Sequence, residues 1–269
     1  MTKRGAIRVG IGGWTYEPWD ESFYPKGLAK KRQLDYASRA LKVIEVNGTY
    51  YSSQKPETFA KWAAEVPDGF IFSLKASRFA TNKKVLADAG ESVDRFLQQG
   101  IAELGDRLGP ILWQFMPTKK FDPADFGAFL ALLPRSLAGL PLRHAVEVRH
   151  PSFQVPDFIA LLRKHQVAVV CADHADYPLI PDVTADFVYA RLQTGLETVE
   201  TCYEPARMKQ WAERLEDWAA GRNADGLALI APEQPIEAKA RDVFAFFIHE
   251  GKSRAPAGAQ ALQALVDKA

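Results

Sequence analysis

The amino-acid sequence predicts one α/β domain in which eight parallel strands close into a (β/α)8 barrel, and three observations support this fold class. Short apolar runs alternate with longer segments of helical periodicity along the whole chain. Helical crossovers return the chain to the same end of a sheet, so the strands pair in parallel. Polar residues alternate with apolar ones in several runs, whereas the strands of an open sheet covered on both faces would be almost continuously apolar.

Eight runs rich in β-branched and other apolar residues are predicted as strands. They lie near residues 7–13, 43–51, 71–77, 110–115, 144–149, 167–172, 187–192 and 242–249. No low-complexity segment or flexible linker separates them, and α/β barrels commonly use about this chain length as one domain. We therefore expect residues 1–269 to form a single TIM-like barrel domain.

Seven helices are predicted between and after these strands, because their apolar residues recur on one face. They span residues 34–41, 56–66, 93–104, 125–133, 156–165, 204–220 and 256–268. The sixth strand is the exception, since residues 174–186 contain two prolines and no apolar stripe of helical spacing. We expect at most one helical turn there, so that the barrel helix after strand six is reduced or missing.

Composition and charge exclude several classes of protein. The formal net charge is +1, which lacks the basic surplus of strong non-specific nucleic-acid binders. No segment approaches the roughly 20 apolar residues of a membrane span. Residues 1–8 carry charges without the long apolar stretch of a signal peptide. We therefore expect a cytoplasmic protein with no membrane association; the oligomeric state is not indicated.

Polar side chains recur late in five of the predicted strands. Glu45 and Asn47 lie on one face of the second run. The same alternation in four further runs gives Lys75, Gln114, Glu147, Arg149 and Arg191. A buried charge costs several kcal/mol unless it is paired, and functional residues of barrels gather at the C-terminal strand ends. These residues therefore predict a shared polar pocket at that end.

Several motifs in a fixed order give the chain a resemblance to a known family. The segments are GIGGWTYEPW at 10–19, FYP at 23–25, EVNGTYY at 45–51, FIFSLKA at 70–76, LGPILWQF at 108–115 and AVEVRH at 145–150. Together they resemble the DUF72 (YecE-like) family of domains of unknown function. The resemblance implies a TIM-barrel-like fold with a cleft at the C-terminal strand ends, and it supplies no activity. The chain departs from the family pattern at Asn82, Gln193 and His249.

Glu45, Glu147 and Lys75 are the candidate catalytic residues. One carboxyl group, its pKa raised by burial, would act as acid, and the other, kept ionised by a cation, would act as base. The alternative is that these residues and Arg149 form an ion-pair network that only fixes the interior. Lys75 would pair with Glu45, hold a substrate carboxylate or phosphate, or form a Schiff base as a desolvated amine.

The candidate substrate-binding residues are of three kinds. The guanidinium groups of Arg78, Arg149 and Arg191 are suited to bidentate anion recognition. Tyr16 and Tyr51 are expected to form an aromatic wall of the pocket, with Trp14 and Trp19 as further candidates and Trp19 assigned to the core. The remaining candidates are the polar residues Asn47, Gln114, His150 and Asp173.

No cofactor is predicted. Gly10, Gly12 and Gly13 follow a strand but do not have the spacing of a dinucleotide-binding loop. A divalent metal site assembled from several strands is an alternative hypothesis. Its ligands would come from Glu45, Glu147, His150, Asp173, His174, Asp176 and His249. The favoured interpretation of the same residues is a loop with solvated charges.

Three functions remain open at this point. The first is an enzyme, a hydrolase, lyase or isomerase acting on a polar, anionic small molecule held by Lys75, Arg149 and Arg191. The second is a nucleic-acid-binding or nucleic-acid-processing protein with Arg78, Lys83 and Lys84 on one rim of the cleft. The third is a non-catalytic ligand-binding protein that uses the same pocket.

Overall fold

A computed structural model of the protein describes residues 4–268, and its eight predicted strands close into a parallel barrel. The strands are β1 Ile7–Gly12, β2 Val43–Val46, β3 Ile71–Lys75, β4 Leu108–Gln114, β5 His144–Glu147, β6 Ala168–Asp173, β7 Phe187–Thr194 and β8 Asp242–Glu250. Each strand pairs in parallel with the next one along the chain, and β8 closes the barrel against β1. The predicted fold class is confirmed.

Seven longer helices surround the barrel. They are α1 Gln33–Ala40, α2 Pro56–Glu65, α3 Gly90–Leu97, α4 Pro123–Ala131, α5 Pro156–His165, α6 Pro205–Ala219 and α7 Ala255–Val266. Five of them have proline at one of their first two positions, where its fixed φ fits and its missing N–H is not needed. Residues 174–186 after β6 form no helix, as expected.

Shorter elements complete the described part of the chain. They are the single helical turns Trp19–Ser22, Gly48–Tyr51 and Arg78–Thr81, the 3-10 segments Lys30–Arg32, Leu86–Ala89, Ile101–Arg107, Pro151–Phe153 and Lys252–Arg254, and a small antiparallel pair, Ser136–Leu137 with Leu140–Pro141. Within residues 4–268, no helix is long and apolar enough to cross a membrane.

Two elements end much earlier than predicted. The strand predicted over 43–51 ends at Val46, because the Thr49 hydroxyl bonds to the backbone carbonyls of Val46 and Lys75 and holds the following residues in a helical turn. Tertiary contacts here override strand propensity. The helix predicted over 93–104 ends at Leu97, because Gly100 has a φ of 108°, which no right-handed helix can include.

The core has two layers separated by the strands. Inside the barrel, apolar side chains fill the lower part, among them Val43, Leu112, Val170, Phe187 and Phe246. Outside it, the opposite faces of the strands pack against the helices. Since side chains alternate along a strand, the next inward position above Val43 is Glu45. The polar residues therefore rest on an apolar floor near the C-terminal end of the barrel.

His144 gives the fold a measurable acid sensitivity. Its Nδ1 accepts a hydrogen bond from Trp113 Nε1 at 3.1 Å, and its Nε2 lies 2.7 Å from the Pro134 carbonyl, to which the neutral ring donates. Burial lowers the pKa of His144 from 6.5 to about 4. As the pH falls from 6.5 to 4, the unfolded chain binds a proton at this residue that the folded chain does not, so stability is lost through that window.

We expect this residue to remove roughly 3 kcal/mol from the free energy of unfolding between neutral pH and pH 4. Urea unfolding of wild type and His144→Gln at a series of pH values measures the difference, because the amide does not titrate. An identical pH dependence in the two proteins would contradict the assignment.

Candidate functional site

A cavity of about 640 Å³ opens at the C-terminal end of the barrel, where β1, β2 and β3 finish. Its aromatic lining consists of Trp14, Trp19, Tyr51, Trp62 and Phe247, of which Trp19 is also part of the buried core, as expected. Its polar lining includes Thr15, Asn47, Gln54 and His249, and its cationic lining consists of Lys75, Arg191 and Lys252. No aspartate or glutamate is among the described residues that line it.

Beneath the cavity, Arg191 joins two carboxylates from distant parts of the chain. Arg191 is only 2% exposed, and Glu45 and Glu147 are fully buried. The Arg191 Nη2 atom donates to Glu45 Oε1 at 3.0 Å, and its Nη1 atom donates to Glu147 Oε2. The three residues come from β7, β2 and β5, so only closure of the barrel brings them together.

Every remaining oxygen of the two carboxylates also has a donor. Tyr189 donates its hydroxyl to Glu45 Oε2 at 2.6 Å, and the hydroxyl of Ser73 lies 2.9 Å from that of Tyr189. Arg149 Nε donates to Glu147 Oε1 at 2.7 Å, and Gln114 Nε2 donates to Glu147 Oε2 at 3.1 Å. An interior network therefore exists, but its members differ from the predicted set, because Arg191 closes it and Lys75 forms no ion pair in it among residues 4–268.

The charges in this network keep Glu147 and Arg191 ionised. Burial alone would raise the pKa of Glu147, but Arg191 and Arg149 outweigh it and hold the pKa at about 2. Burial would likewise lower the pKa of Arg191, and the two carboxylates instead raise it. Burial and the Glu45 carboxylate raise the pKa of Tyr189, so its phenol stays protonated and donates. Glu147 is thus an ionised acceptor with no free oxygen.

Lys75 lies next to the network but forms no ion pair with its carboxylates. The residue is 7% exposed and is the last residue of β3. Within the described chain, no carboxylate oxygen lies within 4.0 Å of its amine, so the proposed pairing with Glu45 is not formed. The amine instead lies 4.2 Å from the centre of the Tyr50 ring. Burial and the charge of Arg191 lower the pKa of Lys75 to about 8.

Four other predicted residues lie at the rim or beside the cavity. Tyr51 is 62% exposed at the opening, and exposed Arg78 has its guanidinium carbon 5.9 Å from the Tyr51 ring. Asn47 lines the cavity and donates weakly to the Glu45 carbonyl at 3.4 Å. Tyr16 is not itself a lining residue, but the Lys252 amine lies 4.2 Å from its ring centre.

Arg149, His150 and Asp173 lie outside the cavity lining. Arg149 packs its guanidinium against Tyr177, 4.4 Å from the ring centre. His150 accepts a hydrogen bond from the backbone N–H of Ser152 at 3.1 Å and so caps a local turn. Asp173 is placed in a separate cluster that ties β6, β7 and α6 together. Its carboxylate accepts hydrogen bonds from Thr194, Tyr203 and Arg207.

The residues considered as metal ligands are not gathered into one place. The Asp173 carboxylate already accepts hydrogen bonds from three donors, and the Glu147 carboxylate already accepts hydrogen bonds from the donors of the network. In the described part of the chain, no group of three or more His, Cys, Asp or Glu side chains is positioned to hold a metal ion.

Several residues of the site were missed at the sequence level. Tyr189 and Ser73 were detectable, because each lies two positions before a predicted inward residue, Arg191 and Lys75. Trp62 and Lys252 reach the cavity from α2 and from the segment after β8, and no strand periodicity marks them.

Comparison with known proteins gives a consistent result for the fold. A family model described as "Protein of unknown function DUF72" matches residues 8–269. The chain is similar to the UPF0759 protein YecE of Escherichia coli (strain K12), with 29% identity over 147 residues, which are 55% of this chain and 50% of YecE. It thus spans about half the length of the curated relatives it matches.

Two solved structures of DUF72 family proteins resemble the whole described fold. One, from Enterococcus faecalis V583, has a TM-score of 0.70 at 18% identity and covers 98% of this chain and 99% of its own. The other, from Thermotoga maritima MSB8, has a TM-score of 0.68 at 23% identity and covers 98% of each chain. At these identities the likeness shows the fold alone.

Proposed function

The chain belongs to the DUF72 family of proteins of unknown function, and on that premise we propose that it is an enzyme acting on a polar, anionic small molecule. The proposed site is the cavity at the C-terminal strand ends, with Lys75 as the side chain that performs chemistry on the substrate. The observation that carries the proposal is a buried amine that borders this cavity and has no carboxylate partner within the described residues.

The charge of the cavity supports an anionic substrate. Lys75 and Lys252 line it, and neither has a carboxylate within 4.0 Å among residues 4–268. Among the residues that the structure describes, Glu45 and Glu147 are the carboxylates next to the three cations Arg191, Arg149 and Lys75, so one positive charge has no counter-charge there. An anion in the cavity would supply it. The rings of Trp14, Tyr51 and Trp62 would pack against the carbon skeleton of the ligand.

The division of roles that we propose differs from the one expected from the sequence. Glu45 and Glu147 have every carboxylate oxygen bonded and no exposed surface, so they are better suited to positioning Arg191 than to transferring protons. Lys75 has a pKa of about 8, so a fraction of it is neutral near pH 7 and able to act as base or nucleophile. Hydrolase, lyase and isomerase chemistry all remain within this proposal.

The test compares turnover by wild type and Lys75→Met in a cell metabolite extract followed by mass spectrometry. We expect at least one anionic metabolite to be consumed by wild type, and we expect the rate to fall at least a hundredfold in Lys75→Met, the order of magnitude that a positioned acid–base group contributes. Lys61→Met is the matched control, because Lys61 is an exposed lysine on α2. Binding of a metabolite without conversion would instead support the ligand-binding hypothesis.

A nucleic acid is the alternative ligand, and one observation favours it. Arg78 lies beside the exposed ring of Tyr51 at the rim, and Lys83 and Lys84 are exposed nearby in sequence. Binding of a labelled oligonucleotide that weakens steeply with salt would support this alternative. No binding at low salt would remove it.

A further inference from the structure

We infer that Lys75 joins its substrate covalently as a Schiff base, so that the substrate is an anionic aldehyde or ketone whose charged group is held by Lys252. This inference rests on the proposed function and narrows its substrate class. It comes from the placement of two lysines, one deep and one near the rim, in the wall of the same cavity.

The position of Lys75 fits a nucleophile better than a simple anion clamp. A clamp needs only a cation, which an arginine or a solvated lysine provides without the cost of desolvation. Lys75 is instead desolvated at the end of a barrel strand, and the positive charge of Arg191 lowers its pKa further, against the individually smaller opposing effects of Glu45 and Glu147. Desolvation and a cationic neighbour are the two conditions that activate a lysine amine for attack on a carbonyl.

The surroundings of Lys75 also leave its amine available. Glu45 and Glu147, the carboxylates next to it, are bonded to Arg191, Tyr189 and Arg149. The remaining described contact of the charged group is with the face of the Tyr50 ring, at 4.2 Å. A ring face stabilises the ammonium form, but it donates no hydrogen bond. When the amine is neutral, its lone pair is therefore available to the substrate.

Lys252 is suited to hold the anionic end of such a substrate. Its amine lies 4.2 Å from the Tyr16 ring centre, and its side chain is half-buried. Its backbone carbonyl accepts a hydrogen bond from Trp19 Nε1 at 2.8 Å, which anchors the segment to a buried indole. Burial lowers the pKa of Lys252, consistent with a cation that lacks a counter-charge.

The chemical step balances without any further reagent. The neutral Lys75 amine attacks the carbonyl carbon, and a C–N bond forms as the oxygen becomes a hydroxyl. The two hydrogens of the amine then leave with that oxygen as water, and a C=N bond remains. Protonation of the imine nitrogen from solvent gives an iminium group, which withdraws electrons from the neighbouring bond that is to be broken or rearranged.

The experiment traps the imine with sodium cyanoborohydride and locates it by peptide mass spectrometry. Wild type is incubated with pyruvate, an anionic ketone, or with acetone, which has the carbonyl but no charge. We expect pyruvate to label Lys75 at least about tenfold more than acetone, corresponding to one charge contact. We expect Lys252→Met to lower the pyruvate labelling about tenfold, and Lys61→Met to leave it unchanged.

A second arm uses the natural substrate, whatever its identity. The metabolite extract is incubated with wild type, Lys75→Arg and Lys252→Met in the presence and absence of cyanoborohydride. Lys75→Arg keeps the positive charge but cannot form an imine, so we expect both its turnover and its adduct to be lost.

The outcomes separate this inference from the proposed function. Turnover that depends on Lys75 but survives in Lys75→Arg, or that leaves no reduced adduct on Lys75 with either the extract or pyruvate, overturns the Schiff base and leaves the proposed function standing. Absence of any turnover or binding dependent on Lys75 overturns both. Trapping at Lys75 that is equal in wild type and Lys252→Met overturns the assignment of Lys252.

Discussion

Arg191→Met is expected to lower the free energy of unfolding by roughly 3–5 kcal/mol, because it leaves two buried carboxylates without their common cation. Glu45 and Glu147 have no exposed surface, and Arg191 is the residue that donates to both. Urea denaturation at pH 7, followed by circular dichroism, measures the loss. Arg149 would still pair with Glu147, so most of the cost is expected to come from Glu45.

A matched control and a compensating variant sharpen this result. Arg95→Met removes an arginine that is 74% exposed and pairs with exposed Glu91, so a loss below about 1 kcal/mol is expected. Adding Glu45→Gln to Arg191→Met removes the charge left behind and is expected to restore part of the stability. A loss of less than about 1 kcal/mol in Arg191→Met itself would show that the carboxylates are solvated.

Lys75→Met is expected to act in the opposite direction and to raise the free energy of unfolding at pH 7 by roughly 2–3 kcal/mol. The folded-state pKa of Lys75 is about 8, against an ordinary value of 10.5, so folding destabilises its charged form. Methionine fills a similar volume without a charge, and any turnover by the protein is expected to be lost.

The pH dependence of this gain identifies its cause. Between pH 8 and 10.5 the unfolded chain keeps a proton on Lys75 that the folded chain has released, so wild-type stability rises relative to Lys75→Met across that window. The penalty is therefore complete below pH 8 and absent above 10.5. The difference between the two urea midpoints should shrink accordingly from pH 7 to pH 10. A difference that stays constant would mean that packing, and not charge, explains the gain.

These two expectations describe a site in which stability and reactivity oppose each other. Arg191 stabilises the fold by neutralising the carboxylates, while Lys75 destabilises it because its buried amine has no carboxylate partner in the described part of the chain. A group that destabilises the fold is retained when the site uses it. Buried ionisable groups with shifted pKa values concentrate at functional sites. The proposed function and the inference drawn from it depend on this contrast.

The barrel itself followed from periodicity. Every predicted strand exists, and the missing helix after β6 follows from prolines and an absent apolar stripe in 174–186. The ends of strands and helices were predicted less accurately where a tertiary contact overrode the local conformational preference. Thr49, a good strand former, sits instead in a helical turn, because its hydroxyl bonds to the end of β3. Such a partner, 26 residues away in the chain, leaves no trace in a local pattern.

The inward positions of the site were predictable, and their partners were not. Period-two alternation placed Glu45, Lys75, Glu147 and Arg191 on the inner face near the strand ends. Asp173 was a candidate because it lies at the end of the sixth predicted strand, whereas its carboxylate bonds to Tyr203 and Arg207 outside the cavity lining. Alternation fixes which face of a strand a side chain lies on. It does not fix which residues that side chain contacts, because those residues come from other parts of the chain.

The sequence by itself determined the barrel and the set of charged residues near its C-terminal end, because these depend on spacing within single strands. Only the tertiary structure decided that both carboxylates bond to Arg191 and that Lys75 has no carboxylate partner among residues 4–268. That choice depends on strand register and on side-chain length between residues more than 40 positions apart, such as Glu147 and Arg191, which only closure of the barrel brings into contact.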